Sequence, residues 1–223
     1  MKLVVNQLVK TEFDFGWKKW DVGFIPYYAN QTLKHQKGTI LDIGCATCEL
    51  YTFLRNNGWK KKYYGIDIQK YEDYEYPAGA NLIIGDPMEI ELPKTDTIIL
   101  YNVLEHVNYP LKLLKKVIET CNENVLINIT KRNEELWKHN IVEYHQLDKT
   151  HKHCGFSKEE IYSIVGQARG KISIYNEIGE TNATIGVELW DNYIPQFFIK
   201  NLFKKIFSSK VYYQEIWAEI VKK

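Results

Sequence analysis

The 223-residue chain is long enough to bury one sizeable core and too short for two ordinary domains. Its 45% hydrophobic and 26% charged content is that of a globular protein, and a net charge of +1 excludes a general attraction to nucleic acid or anionic membrane. No run reaches transmembrane length, no export signal is evident, and four cysteines do not suggest a disulfide framework, so a reduced, cytoplasmic, soluble protein is expected.

In chain order, an aromatic-rich segment from Phe13 to Tyr28 leads into a predicted helix ending near Gln36. Short β-type runs follow at Thr39–Ile43, Tyr63–Ile68, Asn81–Ile84, Thr97–Tyr101 and Val125–Ile129. They are apolar almost throughout, as strands covered on both faces by helices must be. Between the last two, Leu111, Leu114, Val117 and Ile118 recur at helical spacing over Pro110–Thr120. A looser stretch runs from Thr130 to Cys154, with three of the six histidines between His145 and His153: His145, His151 and His153. Ser157, followed by Glu159 and Glu160, has the form of a helix N-cap with acids in the first turn, and that helix should run to about Gln167. Lys171–Tyr175 and Gln214–Lys222 read as sixth and seventh strands, which leaves 178–210 between them as an insertion. Strands alternating with helices predict a parallel sheet wound on both faces.

The most informative local run is Leu41-Asp42-Ile43-Gly44-Cys45-Ala46-Thr47-Cys48-Glu49-Leu50, where the first strand turns into a helix. Small residues let the backbone approach a ligand, and the helix start offers free N–H groups. The next strand ends in Asp67, at the distance expected for a carboxylate that accepts ribose hydroxyls, and the third ends before Asp86.

Together these runs resemble the class I S-adenosylmethionine-dependent methyltransferases. LDIGCATCEL is similar to their first motif, YYGIDI to the second, IIGDPMEIELP to the third and TIILYNVLEHV to the fourth, with HKHCGFSKEEI similar to the segment entering a late helix. The likeness runs in order from about Thr39 to Gln167. It implies a Rossmann-like α/β fold: a doubly wound, seven-stranded sheet, mostly parallel, with the last strand reversed. It implies S-adenosyl-L-methionine as cofactor, with Asp42, Gly44 and Ala46 along the methionine moiety, Asp67 on the ribose and Asp86 at the adenine. Cys45, Ile68, Pro87 and Asn102 complete the implied contacts. Ala46 and Cys48 stand where the family usually has glycines; Ala46 fits without strain if its φ is negative, whereas Cys48 would project a side chain near the helix start. Cys45-Ala46-Thr47-Cys48 also spells CxxC, but no second pair accompanies it, and small side chains in a ligand turn are the better reading than a redox or metal pair.

Transfer to a hydroxyl or amine profits from a base. His106, with Glu105 beside it, follows the fourth strand directly and forms the expected catalytic pair; Asp148 and the three later histidines are further candidates. A metal-assisted RNA 2′-O-methyltransferase is a weaker reading, because Asn102 stands where that family's first acidic ligand belongs, and no metal is expected. A non-catalytic Rossmann-like protein that kept the ligand but lost transfer is the alternative from another class.

The chain is therefore expected to be a single methyltransferase domain: residues 1–37 an N-terminal aromatic cap, 38–177 the core, 178–210 a substrate-side insertion and 211–223 the last strand. Within the insertion, Ile194, Phe197, Phe198, Leu202, Phe203, Ile206 and Phe207 give a helix an apolar face flanked by Lys200, Lys204 and Lys205. A lid packed on the sheet is the favoured reading; a peripheral membrane contact through 194–207, helped by Trp17-Lys18-Lys19-Trp20, is the other. Two aromatic caps over one pocket suit a small-molecule, glycan or lipid-type acceptor rather than nucleic acid.

Overall fold

A computed structural model describes residues 24–72, 74–132, 151–153, 155–185 and 209–223, with the backbone alone at 24–27, 178–185 and 209–214. The elements are α1 (Phe24–His35), β1 (Ile40–Ile43), α2 (Glu49–Asn56), β2 (Tyr63–Asp67), β3 (Asn81–Ile84), β4 (Thr97–Tyr101), α3 (Pro110–Thr120), β5 (Asn124–Lys131), α4 (Lys158–Gln167), β6 (Gly170–Ile185) and β7 (Ser209–Lys222). Local chemistry accounts for several bounds. Pro110 occupies the first turn of α3, where its missing N–H costs nothing. Ser157 and Glu160 close a reciprocal capping box on α4: Ser157 Oγ accepts from Glu160 N at 3.2 Å, and Ser157 N donates to Glu160 Oε2 at 2.7 Å.

The strands form one seven-stranded sheet in the order β3-β2-β1-β4-β5-β7-β6. The first five are parallel to their neighbours, and β7 runs antiparallel to both β5 and β6, as expected for a Rossmann-like sheet with a reversed last strand. The chain order reverses between β1 and β4, so the ligand crevice of an open α/β sheet belongs at the carboxyl ends of these strands.

Alternation along the strands divides the core into two layers. One face sends Leu41, Ile43, Ile66, Leu100, Ile127 and Ile129 against Leu113, Leu114 and Val117 of α3 and Ile161 and Val165 of α4. The opposite face sends Ile40, Tyr63, Ile99, Leu126 and Trp217 against Tyr28 of α1 and Tyr51 and Leu54 of α2.

One expectation needs correction. The sixth strand, predicted to end at Tyr175, continues to Ile185, and the seventh begins at Ser209. Thr181↔Tyr213 through Ile185↔Ser209 are paired, so 178–185 and 209–210 belong to a ladder rather than to the insertion. The sequence IGETNATI lacks a continuous apolar alternation, and pairing with β7 makes it a strand all the same. β5 ends at Lys131 opposite Gln214, so the further pairs form a two-stranded ribbon overhanging the carboxyl end of the sheet. Residues 1–23, most of the Thr130–Cys154 stretch with His145 and Asp148, and the amphipathic run 194–207 lie outside the described residues. Among the described residues, no helix is long and apolar enough to cross a membrane.

Candidate active site

At the head of β1 the chain makes a tight turn. Gly44 N and Cys45 N both donate to Ile66 O, at 2.8 and 3.1 Å, and Cys48 N closes back on Cys45 O at 2.8 Å. Gly44, Ala46 and Cys48 have φ of +76°, +44° and +59°. The glycine-type backbone is thus retained where Ala46 and Cys48 replace glycines. The expected negative φ at Ala46 is not what forms, and an L residue held in this region costs about 1 kcal/mol or more. Asp67, at the end of β2, fastens the turn: its Oδ2 accepts from Ala46 N at 2.8 Å, while Oδ1 accepts from Gln69 N at 3.3 Å.

Cys48 does not project into the crevice. It is fully buried, with its thiol 3.6 Å from that of Cys45. Both sulfurs lie over Gly65 in the middle of β2, where an added Cβ would stand 2.7 Å from Cys45 Sγ and 3.0 Å from Cys48 Sγ. Gly65 is therefore the residue that makes room for the two cysteines. The bond from Cys48, together with burial, pushes the Cys45 thiol far above its ordinary range. Among the described residues no cluster of His, Cys, Asp or Glu has the form of a metal site.

Asp42 is buried below the same turn, where its Oδ2 accepts from the Tyr63 hydroxyl at 2.6 Å. Burial raises its pKa to about 7; the Tyr63 hydrogen bond opposes the rise and the charge of Asp67 adds to it. On the outer side, Ile68 is 71% exposed and Ile84 44% exposed, two apolar side chains left open beside Asp67. Asp86 is exposed, its Oδ1 accepting from Met88 N at 2.8 Å, and Pro87 after it is buried. Gly44, Cys45, Ala46, Asp67 and Ile68 thus cluster at the ends of β1 and β2, with Asp86 and Pro87 at the end of β3. Asp42 lies one layer deeper.

The second half of the crevice lies at the ends of β4 and β5. Asn102 turns the chain out of β4 with φ +53°, donating its N–H to Asn128 O at 2.7 Å and accepting from Asn128 Nδ2 at 2.9 Å. The same amide donates to the Tyr28 hydroxyl at 2.9 Å, which ties α1 to the strand ends. Tyr28 packs on Tyr101 with ring centroids 5.2 Å apart, and the Tyr101 hydroxyl is 2.9 Å from Thr32 Oγ1.

Glu105, expected as part of the catalytic pair, is fully buried and faces away from solvent. Its Oε1 accepts from Thr130 N and Thr130 Oγ1, each at 3.0 Å, and its main-chain oxygen accepts from Lys152 N at 2.7 Å and His153 N at 3.1 Å. Burial raises its pKa. Its side chain ties the turn after β4 to the end of β5, and its main-chain oxygen holds the 152–153 turn. His106 is partly exposed, and its ring meets that of His151 at 4.5 Å, nearly perpendicular at 87°. His153 turns aside, its Nε2 lying 3.0 Å from Val107 O.

The sequence reading passed over Gly65, Tyr63, Asn128, Thr130 and Tyr28, which shape both halves of the site. Gly65 alone carried a local signal, since a glycine inside a strand marks a close approach.

A protein-family model described as a methyltransferase domain matches residues 24–170. No curated protein matches the sequence. Solved structures similar to the chain include a Bacillus halodurans protein provisionally assigned as a methyltransferase, 11% identical over 87% of this chain and 98% of that one (TM-score 0.64). Magnesium protoporphyrin IX methyltransferase from Synechocystis, solved with S-adenosylhomocysteine, is 15% identical over 99% of each chain (TM-score 0.57). The plantazolicin methyltransferase BpumL, solved with a desmethyl-plantazolicin analogue and S-adenosylhomocysteine, is 14% identical over 99% of this chain and 96% of that one (TM-score 0.55).

Proposed function

Because the chain belongs to the methyltransferase-domain family and has the class I S-adenosylmethionine-dependent fold, we propose that it transfers a methyl group to a small-molecule, glycan or lipid-type acceptor. The observation that carries this reading is the Gly44–Cys48 turn, preformed in glycine geometry and fastened by Asp67 at the switch point of the sheet. An open turn beside a carboxylate, with Ile68 and Ile84 exposed next to it, fits a ligand that has a zwitterionic end, a ribose and an aromatic base.

In this reading the backbone around Gly44 and Ala46, with Cys45 and Asn102, lines the methionine end. Asp67 takes the ribose, and Ile68, Asp86 and Pro87 border the adenine. S-adenosylmethionine supplies an electrophilic methyl on a sulfonium whose charge vanishes on transfer. What the chain must contribute is alignment, exclusion of water and, for a protic nucleophile, a base. His106, partly exposed at the head of β4 and one strand from the turn, is the residue we assign to face the acceptor. The near-neutral chain and the action of two structural neighbours on a porphyrin and on a plantazolicin analogue support a compact acceptor over a polymer.

Calorimetric titration with S-adenosylmethionine and S-adenosylhomocysteine tests the reading. Both should bind, and Asp67→Ala should weaken them at least about tenfold, a loss of roughly 1.4 kcal/mol or more. Unchanged affinity in that variant would remove the ribose assignment, and failure of either ligand to bind the native protein would remove the reading itself.

A further inference from the structure

His106 and His151 come from different turns, one after β4 and one after β5, yet their rings meet edge to face. Glu105 brings them together. Its carbonyl accepts the N–H groups of Lys152 and His153, next to His151, and its carboxylate holds Thr130 at the end of β5. The contact between His153 Nε2 and Val107 O ties the same two turns on the far side of His106. Three polar contacts therefore fix the segment that carries His151 against the segment that carries His106, and two more hold the latter to the end of β5. Both residues are partly exposed, and His106 follows the carboxyl end of β4, the strand beside β1.

We propose that His106 and His151 work as a pair that receives the proton of an acceptor carrying an O–H or N–H group, and that Glu105 is the positioning residue for the pair. The proposal rests on the methyltransferase reading above. In the step, the acceptor's X–H bond breaks and its proton joins a ring nitrogen of His106. The freed electron pair on X forms the X–C bond, while the C–S pair stays with the sulfur of the departing S-adenosylhomocysteine. An imidazolium forms on His106, beside the His151 ring, which stands nearly perpendicular with its centroid 4.5 Å away. The proton then passes to solvent. A carboxylate acceptor has no proton to surrender and no use for this pair, so the arrangement selects hydroxyl- or amine-bearing acceptors. The titratable groups around the pair include Glu105, Lys152 and His153.

The test is nuclear magnetic resonance of protein labelled at the histidine Cε1 positions and saturated with S-adenosylhomocysteine, titrated from about pH 5 to 9. Replacing either histidine by Gln should move the other's titration midpoint by about 0.5 unit or more, as expected for interacting sites. Glu105→Ala, which keeps the main-chain oxygen that holds Lys152 and His153 but releases the turn from Thr130, should weaken that coupling, whereas Glu105→Gln, which keeps a side-chain acceptor for Thr130, should preserve it. With labelled S-adenosylmethionine and a panel of phenols, alcohols, amines and carboxylates, transfer should appear on protic acceptors. His151→Gln should lower kcat about tenfold or more with KM for the cofactor nearly unchanged. Independent midpoints in a folded protein that binds S-adenosylhomocysteine, or transfer to carboxylates alone, would overturn the pair and leave the methyltransferase reading standing. Absence of S-adenosylhomocysteine binding would instead overturn that underlying reading.

Discussion

On the face of the sheet covered by α3 and α4, the strands contribute aliphatic side chains and bury no charge. On the face covered by α1 and α2, the same strands bury Asp42, Asp67, Asn128, Thr130, Glu215 and Glu219 alongside aromatic rings. By alternation, every buried polar residue of the strands falls on this second face. One layer therefore supplies stability through removal of apolar area from water. The other accepts the cost of buried polar groups, which it offsets with hydrogen bonds, and in return carries the turns and carboxylates of the site.

The largest test of this division is pH. Asp42 ionises near pH 3.8 when free and near 7 in the folded protein. Below both values the folded and unfolded states are equally protonated and stability from this group is complete. Between them the folded state keeps a proton that the unfolded state has lost, so stability falls as pH rises to about 7. The loss has a ceiling of roughly 4 kcal/mol at about 1.4 kcal/mol per unit. Glu215, raised by burial to about 8, and Glu105, also raised, add to the same fall, so Asp42→Asn should make the midpoint fall less steeply across this window, and a slope unchanged from the native protein would mean that Asp42 does not carry the penalty assigned to it. Ile127→Ala, on the aliphatic face, should cost roughly 3 kcal/mol by urea denaturation at any pH and leave S-adenosylhomocysteine affinity unaltered. Gly65→Ala should cost about 2 kcal/mol by overpacking against Cys45 and Cys48, and Cys48→Gly in the same chain should recover much of it. Additive costs in that double variant would show that the two sites do not share the space. The smallest effect belongs to Ala46→Gly, which should raise the thermal midpoint modestly, by about 0.5–1 kcal/mol of relieved strain at φ +44°.

The same division explains what the sequence made legible. The aliphatic face follows from local patterns: Leu111, Leu114, Val117 and Ile118 at helical spacing, Pro110 at a helix start and the Ser157–Glu160 box fix α3 and α4 within a residue. The mostly parallel sheet and its reversed last strand followed from the family resemblance, and the strand order from the structure. The second face depends on partners far apart in the chain. Cys48 turns inward because Gly65 leaves a hollow, and Glu105 is buried because Thr130 and the 152–153 backbone come to meet it. No window of the sequence holds both members of either pair. The extension of β6 to Ile185 was likewise illegible, since only its pairing with β7 makes IGETNATI a strand.

Where β6 and β7 run past the end of β5, each strand has a single neighbouring strand among the described residues, and a two-stranded ribbon in water is marginally stable on its own. Amide hydrogens of Thr181–Ile185 and of 209–213 should therefore exchange by local opening, far faster than those of Val125–Ile129 in the middle of the sheet. The ribbon should thus open more readily than the centre of the sheet. A methyl acceptor that bridged the ribbon and the strand ends would register as slowed exchange at Thr181–Ile185, giving a screen for acceptors that needs no turnover.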